Sequence, residues 1–479
     1  MTTLEAIEIL VRLAWLAGAV TFVLGLIRMN SPATARNGNL LSAAGMTVAI
    51  VATAILILAE QLLDPASEGV SVIAWAIIIG GTAIGGGLGL YTARVVKMTA
   101  MPQLVSIFNA VGGGAAALIG IVEYLRLVSE GAVRIDEHIF IVLDIIIGSV
   151  TFTGSIIASG KLQGVIPGKP IKVPGGQLVT IALSAITALA ALALFVTGEP
   201  NLALMVVILA AALVFGVTMT LPIGGADMPV VISLLNSFTG TAVAMAGFVI
   251  GNEVLIIAGA LVGASGAILT KLMADAMNRS VMNIMIGGFG GGEGTMAEAG
   301  GAGGTVRSIG PDDVAIQLAY AQHVIIVPGY GLAVAQAQHA VRELAELLEE
   351  KGVDVKYAIH PVAGRMPGHM NVLLAEANVP YPQLKEMDDI NPEFDRCDVA
   401  LVIGANDVTN PAARRPGSPV SGMPILDVDH AKSIVVIKRS MGRGYAGIDN
   451  ELYTNEKTGM LFADAKDGLA QLIEAVKAL

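Results

Sequence analysis

Cysteine, charge and aromatic side chains are all scarce in this sequence. Cys397 is the one cysteine among 479 residues, which excludes an internal disulfide and a cysteine-based zinc or redox motif. Charged residues make up 14% and aromatic residues 4% of the chain, whereas soluble proteins contain about 25% charged residues. With 57 glycines this composition excludes a coiled coil, and an apolar fraction of 54% excludes a disordered chain.

The few charges are unevenly distributed along the chain. Residues 1–283 contain 26 Lys, Arg, Asp and Glu residues, whereas the shorter stretch 284–479 contains 41. Together with a mean hydropathy of +0.73, this asymmetry predicts a large membrane-embedded part followed by a polar part. Most of the net charge of −11 falls in the polar part, so the electrostatics do not favour nucleic-acid binding.

Nine apolar stretches between Leu4 and Met273 are each long enough to cross a membrane as a helix. The first has Glu5 and Glu8 where a signal peptide has a basic region, so we expect a retained helix. Loops after odd-numbered stretches contain nine Lys and Arg residues, and loops after even-numbered stretches contain two. Because positive loops stay in the cytoplasm, we expect a multi-pass bundle with a cytoplasmic C-terminal part.

The polar part alternates short apolar runs with amphipathic segments. The predicted strands are His323–Val327, Val355–Ile359, Val399–Ile403, Ile434–Ile437 and Met460–Phe462, and the predicted helices are Leu332–Leu348, Met370–Ala377 and Leu469–Leu479. This alternation predicts a Rossmann-like, doubly wound parallel sheet. We therefore expect a transmembrane domain over 1–283, a Gly-rich linker over 284–310 and a nucleotide-binding domain over 311–479.

The most specific motif is a glycine turn between the first predicted strand and helix. It consists of Gly329, Tyr330, Gly331, Leu332, Ala333 and Val334. In dinucleotide-binding folds the first glycine of such a turn permits the bend and the second lets the backbone approach a pyrophosphate at the helix N-terminus. An ordinary glycine-containing turn is the alternative interpretation.

The residues after two later strands favour a phosphorylated dinucleotide. The second strand ends at Ile359-His360 without the acidic residue that binds a ribose 2′-hydroxyl in NAD sites, and Asp354 lies at its other end. A later strand is followed by Lys438, Arg439 and Ser440, two cations and a hydroxyl that suit a 2′-phosphate. Solvated charges at the start of a loop are the alternative.

Two further strand-end loops contain candidate binding residues. The first, suited to a pyrophosphate, includes Gly364, Arg365, Met366 and Pro367, and the second includes Gly404, Ala405, Asn406 and Asp407. A carboxylate beside an anionic ligand is unfavourable unless it is protonated or forms part of a switch. For Asp407 the alternative is a simple turn-forming role.

Polar residues are rare within the apolar stretches. Asn109, Asp144 and Asn236 lie inside predicted spans, and Asp227 lies in a short loop. An intramembrane ionisable group costs at least about 2.5 kcal/mol and marks a functional site by default. A chain of carboxylates, amides and water can pass a proton, whereas hydrogen bonding between helices is the alternative for each amide.

Seven strings in the order found here resemble the beta subunit of proton-translocating NAD(P) transhydrogenases, and the resemblance covers essentially the whole chain. They are IGGADMP (223–229), LNSFTG (235–240), AMNRS (276–280), GYGLAVAQAQ (329–338), HPVAGRMPGHMNVLL (360–374), VIGANDVTNP (402–411) and KRSMGRGYAG (438–447).

The resemblance implies roles for most of these residues. The C-terminal domain would bind NADP(H), with Lys438, Arg439 and Ser440 on the 2′-phosphate and with Gly444 and Tyr445 in a lid over the nucleotide. Asp407 matches the acid that couples nucleotide occupancy to protonation. The positions that match the proton path are Asp227, Asn236 and Arg279. Asn109 stands where some members have a histidine, and Asp144 matches no known role.

The resemblance also implies that the chain is incomplete on its own. Alpha subunits would supply the NAD(H)-binding domain and further membrane helices, and two such heteromers would pair in the lipid bilayer of a bacterial inner membrane. Hydride would pass from NADH to NADP⁺ as protons enter the cytoplasm, with no metal involved. The alternative is an ion channel or transporter gated by a cytosolic nucleotide-sensing domain, without chemistry.

Overall fold

A computed structural model describes residues 3–63, 69–130, 135–168, 170–171, 175–225, 227–278, 280–281, 305–366, 368–416, 418, 420–444 and 446–479. Residues 284–304, which are most of the predicted Gly-rich linker, lie outside the described residues. The chain forms two compact units. The first comprises Met1–Ser159, Gln177–Thr218 and Leu235–Ala267, and the second comprises Gly160–Gly176, Met219–Leu234 and Ile268–Leu479.

The predicted multi-span helical part is confirmed: nine helices in the described ranges are long and apolar enough to cross a membrane. They are α1 (Thr3–Arg28), α2 (Pro32–Leu63), α3 (Val72–Val95), α4 (Met101–Glu130), α5 (Ile135–Gln163), α6 (Gly176–Thr197), α7 (Leu202–Thr220), α8 (Met228–Ile250) and α9 (Glu253–Ala276). Helices suit these apolar sequences because each satisfies its backbone hydrogen bonds internally.

Small residues let helices of the first unit approach closely. A Cβ at Gly148 of α5 would lie 2.5 Å from the carbonyl oxygen of Gly113 on α4. A Cβ at Gly112 would lie 2.8 Å from a methyl carbon of Thr239 on α8, whose hydroxyl donates to the Asn109 carbonyl at 3.3 Å. Glycine at these positions is therefore required by the packing of α4 against both neighbours.

The second unit contains a six-stranded parallel sheet, which confirms the predicted α/β class. Its strands are β1 (His323–Pro328), β2 (Asp354–Ile359), β3 (Leu384–Glu386), β4 (Val399–Ile403), β5 (Ser433–Lys438) and β6 (Thr458–Phe462), in the order β3-β2-β1-β4-β5-β6. The helices of this part are α10 (Pro311–Ala319), α11 (Tyr330–Val334), α12 (Gln338–Glu350), α13 (His369–Glu376), α14 (Met387–Ile390) and α15 (Ala465–Ala478).

The central strands read as continuous apolar runs because helices and loops cover both faces of the sheet. All five residues of β4 are buried, as are all residues of β1 except the first. Phe394 and Tyr357 are among the largest fully buried side chains of the unit. The strand order reverses between β1 and β4, and doubly wound sheets bind ligands outside the carboxyl ends of the strands at that point.

Two local elements differ from the sequence prediction. β3 was not predicted, because it has only three residues, its sequence LKE is largely polar, and it pairs with β2 alone. The single helix predicted over Leu332–Leu348 is instead two helices, α11 and α12. Gln336 takes a left-handed conformation with φ of 50°, which ends α11 after five residues.

The turns after β1 and β4 touch through their backbones. The Gly329 amide donates to the Ile403 carbonyl at 2.9 Å, and the Gly331 amide donates to the Gly404 carbonyl at 3.0 Å. A Cβ on Gly331 would lie 2.6 Å from Gly404 Cα, and Gly404 itself has a φ of +68°. Both turns therefore need glycine, one for space and the other for space and conformation.

The contact predicts a local effect of Gly404→Ala. Left-handed strain of about 1–2 kcal/mol adds to the overlap of the new Cβ with the Gly331 backbone, so we expect faster hydrogen exchange at the β1 and β4 amides. Gly352→Ala is the matched control, because its φ is +88° but no atom lies within 4 Å of the added Cβ. Equal effects of the two substitutions would contradict the role of the contact.

Candidate nucleotide site

A cavity of about 590 Å³ opens at the carboxyl edge of the sheet, where loops that follow β1, β2, β4 and β5 meet. The predicted binding residues that line it are Gly329, Tyr330, Gly331, Val334, Gly364, Gly404, Ala405, Asn406, Asp407, Lys438, Arg439, Ser440 and Gly444. Four strand-end loops that are far apart in sequence thus contribute to one cavity.

Some predicted residues lie elsewhere. Leu332 and Ala333 are fully buried in the core, so they anchor the glycine turn and do not line the cavity. Arg365 and Met366 are not among the residues that line the cavity; the Arg365 guanidinium lies 4.4 Å from the ring centre of Tyr330. The remaining two predictions, Pro367 and Tyr445, fall outside the described residues.

Lys438, the last residue of β5, brings a cation to the cavity. Its ammonium donates to the Gly442 carbonyl at 2.5 Å and lies 4.5 Å from the ring centre of Tyr453. Burial lowers the pKa of Lys438, and the nearby carboxylates of Asp407 and Asp449 oppose that shift. A bound dianion would likewise stabilise the charged ammonium.

Asp407 lies beneath the backbone of the segment that follows β5. Its Oδ2 accepts a hydrogen bond from the Ala446 amide at 3.0 Å. A Cβ on Gly444 would overlap the carboxylate, so the close approach requires glycine. The same carboxylate lies close enough to Lys438 to influence its charge. Asp407 is therefore in contact with the residues that would hold an anionic ligand.

A set of buried hydrogen bonds positions the loop that contains Asp407. The Asn450 side chain donates to the Asn406 carbonyl at 2.9 Å, and the Tyr453 hydroxyl donates to the Ala405 carbonyl at 3.1 Å. Burial raises the pKa of Tyr453, so its hydroxyl keeps the proton that it donates. The loop after β4 is thus held by side chains that lie after β5.

Sequence reasoning missed several residues of the site. Arg443 lines the cavity and pairs with Asp449, with its Nε 2.9 Å from Oδ1. Its position within the string KRSMGRGYAG was the available signal. Asn450 and Tyr453 gave no signal, because their roles depend on contacts with a loop more than 40 residues earlier in the sequence.

His360 joins two segments that line the cavity. It lies directly after β2, its Nε2 is 2.9 Å from the Pro424 carbonyl oxygen, and its Nδ1 accepts from the Val362 amide at 3.3 Å. The ring is therefore neutral with its proton on Nε2. Burial lowers the pKa of His360 to about 4.

The predicted proton-path residues are divided between the two units. In the first unit, Asn109 and Asp144 are buried and Asn236 is partly buried. In the second unit, Asp227 is partly buried, and the carbonyl of its backbone accepts from the Val231 amide of α8 at 3.2 Å. Arg279 lies outside the described residues.

No group of three or more His, Cys, Asp or Glu side chains in the described part of the chain is arranged to hold a metal ion. The candidate site instead consists of glycine backbone, the partly buried carboxylate of Asp407 and cations. This composition suits an anionic organic ligand that has a pyrophosphate and a further phosphate.

Comparison with known proteins decides the family. A family model described as NAD(P) transhydrogenase beta subunit matches residues 11–475. The chain belongs to this family. Two curated relatives from Rhodospirillum rubrum, one of them from a named strain, are each called NAD(P) transhydrogenase subunit beta. Each is 49% identical over 471 residues, which cover 97% of this chain and 98% of the relative.

Membership explains the two-part architecture. The chain is a multi-pass membrane protein and a transhydrogenase beta subunit, which implies nicotinamide nucleotide binding and a partner alpha subunit. Membership of this family favours a transhydrogenase over a nucleotide-gated channel that performs no chemistry.

The environment of His360 predicts an acid-sensitive cavity wall in this beta subunit. The pKa of His360 is 6.5 in the unfolded chain and about 4 in the folded one. The contribution of its neutral ring to the free energy of unfolding is therefore fully present above pH 6.5 and is lost as the pH drops toward 4. The loss reaches about 3 kcal/mol. Hydrogen exchange of the 359–364 amides, corrected for intrinsic rates, measures it.

His360→Gln removes the titrating ring. Hydrogen exchange of the 359–364 amides in this variant should therefore not increase as the pH falls. The exposed His339 provides a control, because His339→Gln should retain the wild-type profile. An unchanged profile in the His360 variant would disprove the assignment.

Proposed function

We propose that this beta subunit binds NADP(H) in the cavity at the carboxyl edge of its sheet. Lys438, Arg439 and Ser440 at the end of β5 line the same cavity as the glycine turn after β1, and this juxtaposition carries the proposal. The glycine turn lets a pyrophosphate approach the backbone closely at the start of a helix. The residues after β5 provide two cations and a hydroxyl for the 2′-phosphate.

The end of β2 supports NADP(H) over NAD(H). In NAD sites an acidic residue there binds the ribose hydroxyls, whereas here His360 occupies this position with both ring nitrogens engaged by backbone groups. Asp354 lies at the opposite end of the strand, beside His323, with its Oδ2 3.2 Å from the histidine Nδ1. The residues that end β2, Ile359 and His360, therefore include no carboxylate that would repel a 2′-phosphate.

The proposed reaction transfers hydride from NADH on the alpha subunit to NADP⁺ in this cavity. When bound, NADP⁺ supplies the carbon that accepts the hydride. Direct transfer needs contact between two nicotinamide rings rather than an acid or base from the protein. The contribution of this chain is to bind and orient its nucleotide and to change its affinity during turnover.

We further propose that hydride transfer is coupled to inward proton movement through residues 1–283. The proton path would include Asn109, Asp144, Asp227, Asn236 and Arg279, and the nucleotide domain over 311–479 would respond through Asp407. Residues 277–304, which include most of the linker 284–310, would carry the movement. At the start of this segment, the Asn278 side chain donates to the Ser421 carbonyl at 2.7 Å, and Met277 lines the cavity.

The proposed location is a bacterial inner membrane, with the sheet domain in the cytoplasm and two alpha–beta heteromers paired. The excess of Lys and Arg in loops after odd-numbered helices supports this orientation. A cytoplasmic site would have direct access to the nucleotide pool.

Lys438→Ala tests the nucleotide assignment. Loss of one charge-assisted hydrogen bond, about 1.5–3 kcal/mol, should weaken NADP(H) binding to the purified complex by about 10- to 100-fold, with NAD(H) binding to the alpha subunit unchanged. Calorimetric titration with each nucleotide measures both affinities.

Lys432→Ala is the matched control, because Lys432 pairs with Asp398 just before β5 and is exposed. It should leave both affinities unchanged. Equal weakening of NADP(H) and NAD(H) by Lys438→Ala would contradict the 2′-phosphate assignment.

Asp407→Asn tests coupling. The amide keeps the size of the side chain but cannot exchange a proton, so NADP(H) affinity should change and lose its pH dependence, and proton translocation in proteoliposomes should stop. Asp395→Asn changes an exposed carboxylate and serves as the control. Wild-type affinity and pumping across pH in the Asp407 variant would remove this residue from the scheme.

A further inference from the structure

One face of α5 presents buried polar side chains to α4. Asp144, Thr151 and Ser155 are each 0% exposed, and Ser159 is 4% exposed. Their spacing of seven, four and four residues places them on one side of the helix. These side chains and the α4 residues opposite them form the α4–α5 seam.

Contacts along the seam show that this face meets α4. A Cβ on Gly113 would lie 2.8 Å from Thr151 Cβ. The Ser106 hydroxyl donates to the Ser155 carbonyl at 2.8 Å, and the Ser159 hydroxyl donates to the Gln103 carbonyl at 3.3 Å. Polar groups thus continue along the seam toward the C-terminal end of α5.

Asp144 is the titratable residue of the seam. Gly120 of α4 faces it so closely that an added Cβ would lie 3.2 Å from Asp144 Oδ2. Neither carboxyl oxygen has a side-chain partner among the described residues. Apolar and aromatic side chains around this level of the helix, including Ile141, Ile145 and Tyr124, form a buried cluster. An unpaired charge here is costly, whereas a carboxyl that holds a proton is neutral.

Other titratable groups on the helices of this cluster are few. On α5 they are Asp136, Glu137, His138 and Lys161, on α4 they are Glu123, Tyr124, Arg126 and Glu130, and α6, α7 and α8 contain none. His138 is 1% exposed, lies six residues before Asp144, and has an Nε2 without a hydrogen-bond partner in the described ranges. It therefore provides a second proton-binding group about 9 Å along the helix axis.

Asn109 strengthens the argument for a carboxyl in this role. It is buried on α4, and its amide cannot titrate. Its carbonyl oxygen accepts from Thr239 on α8, so the residue takes part in the packing of α4 against that helix. Asn109 can orient water or hydrogen bonds, but the proton must be held on another group.

We propose that Asp144 is the group of the membrane part that binds the translocated proton, between His138 toward the start of α5 and the polar seam toward its end. This inference rests on the proposed proton coupling. The carboxylate takes up one proton and releases it again, with no other change in bonding.

Asp144→Asn in the assembled alpha–beta complex is the direct test. NADH and NADP⁺ added outside proteoliposomes reach only complexes whose sheet domain faces outward, so NADP⁺ reduction moves protons out of the lumen, and this proton release should fall more than about tenfold. Nucleotide binding should persist, and Asp144→Glu should restore much of the proton release. Ser149→Ala is the matched control, since Ser149 is an equally buried polar residue of α5 outside the spacing of the seam, and it should pump at the wild-type rate.

A measurement on the unaltered complex covers the case in which the variant does not assemble. A membrane-permeant carbodiimide reacts with protonated carboxyl groups, so mass spectrometry should find Asp144 modified, less so at alkaline pH. Wild-type pumping by Asp144→Asn, or no modification of Asp144 while other carboxyls react, overturns the inference. Absence of pumping by the wild-type complex would instead refute the proposed coupling itself.

Discussion

The backbone contact between the turns after β1 and β4 is the constraint on which the candidate site depends. Gly331 and Gly404 approach so closely that neither tolerates a Cβ, and the hydrogen bond between them fixes the two turns at the reversal of strand order. With these turns in place, Gly329, Tyr330 and Gly331 line the cavity. Bulkier residues would separate the turns and remove the surface against which a pyrophosphate could lie.

Cations and carboxylates lie close together in and around the cavity. Lys438 is half-buried; burial lowers its pKa, and the carboxylates of Asp407 and Asp449 oppose that shift. Arg443 in turn pairs with Asp449. A dianionic ligand would compete with these carboxylates for the cations, so protonation of one carboxyl would favour binding. Asp407 has the further property that the backbone after β5 lies directly on it, which links its charge to the position of that segment.

Sequence patterns predicted the architecture where the signal was continuous and local. Apolar length revealed the helices, and alternation of strands and helices revealed the parallel sheet. β3 was not predicted because the segment LKE forms a strand through its hydrogen bonds to β2 and not through the β propensity of its own residues. The helix break at Gln336 was not predicted because glutamine rarely adopts positive φ. In the site, strand-end loops were predictable from topology, whereas Asn450 and Tyr453 act through contacts that no local pattern reveals.

The size of the proposed coupling constrains where the change must occur. One proton crossing about 180 mV makes available roughly 4 kcal/mol, which equals about a thousandfold in affinity. Two charge-assisted hydrogen bonds, at about 1.5–3 kcal/mol each, account for such a difference. The buried strands β1, β4 and β5 are held by continuous parallel pairing, and moving them would cost far more. The proposed affinity change would therefore belong to the loops after β4 and β5, where Asp407 contacts the Ala446 amide and a shift of that segment would alter the ligand's contacts without disturbing the sheet.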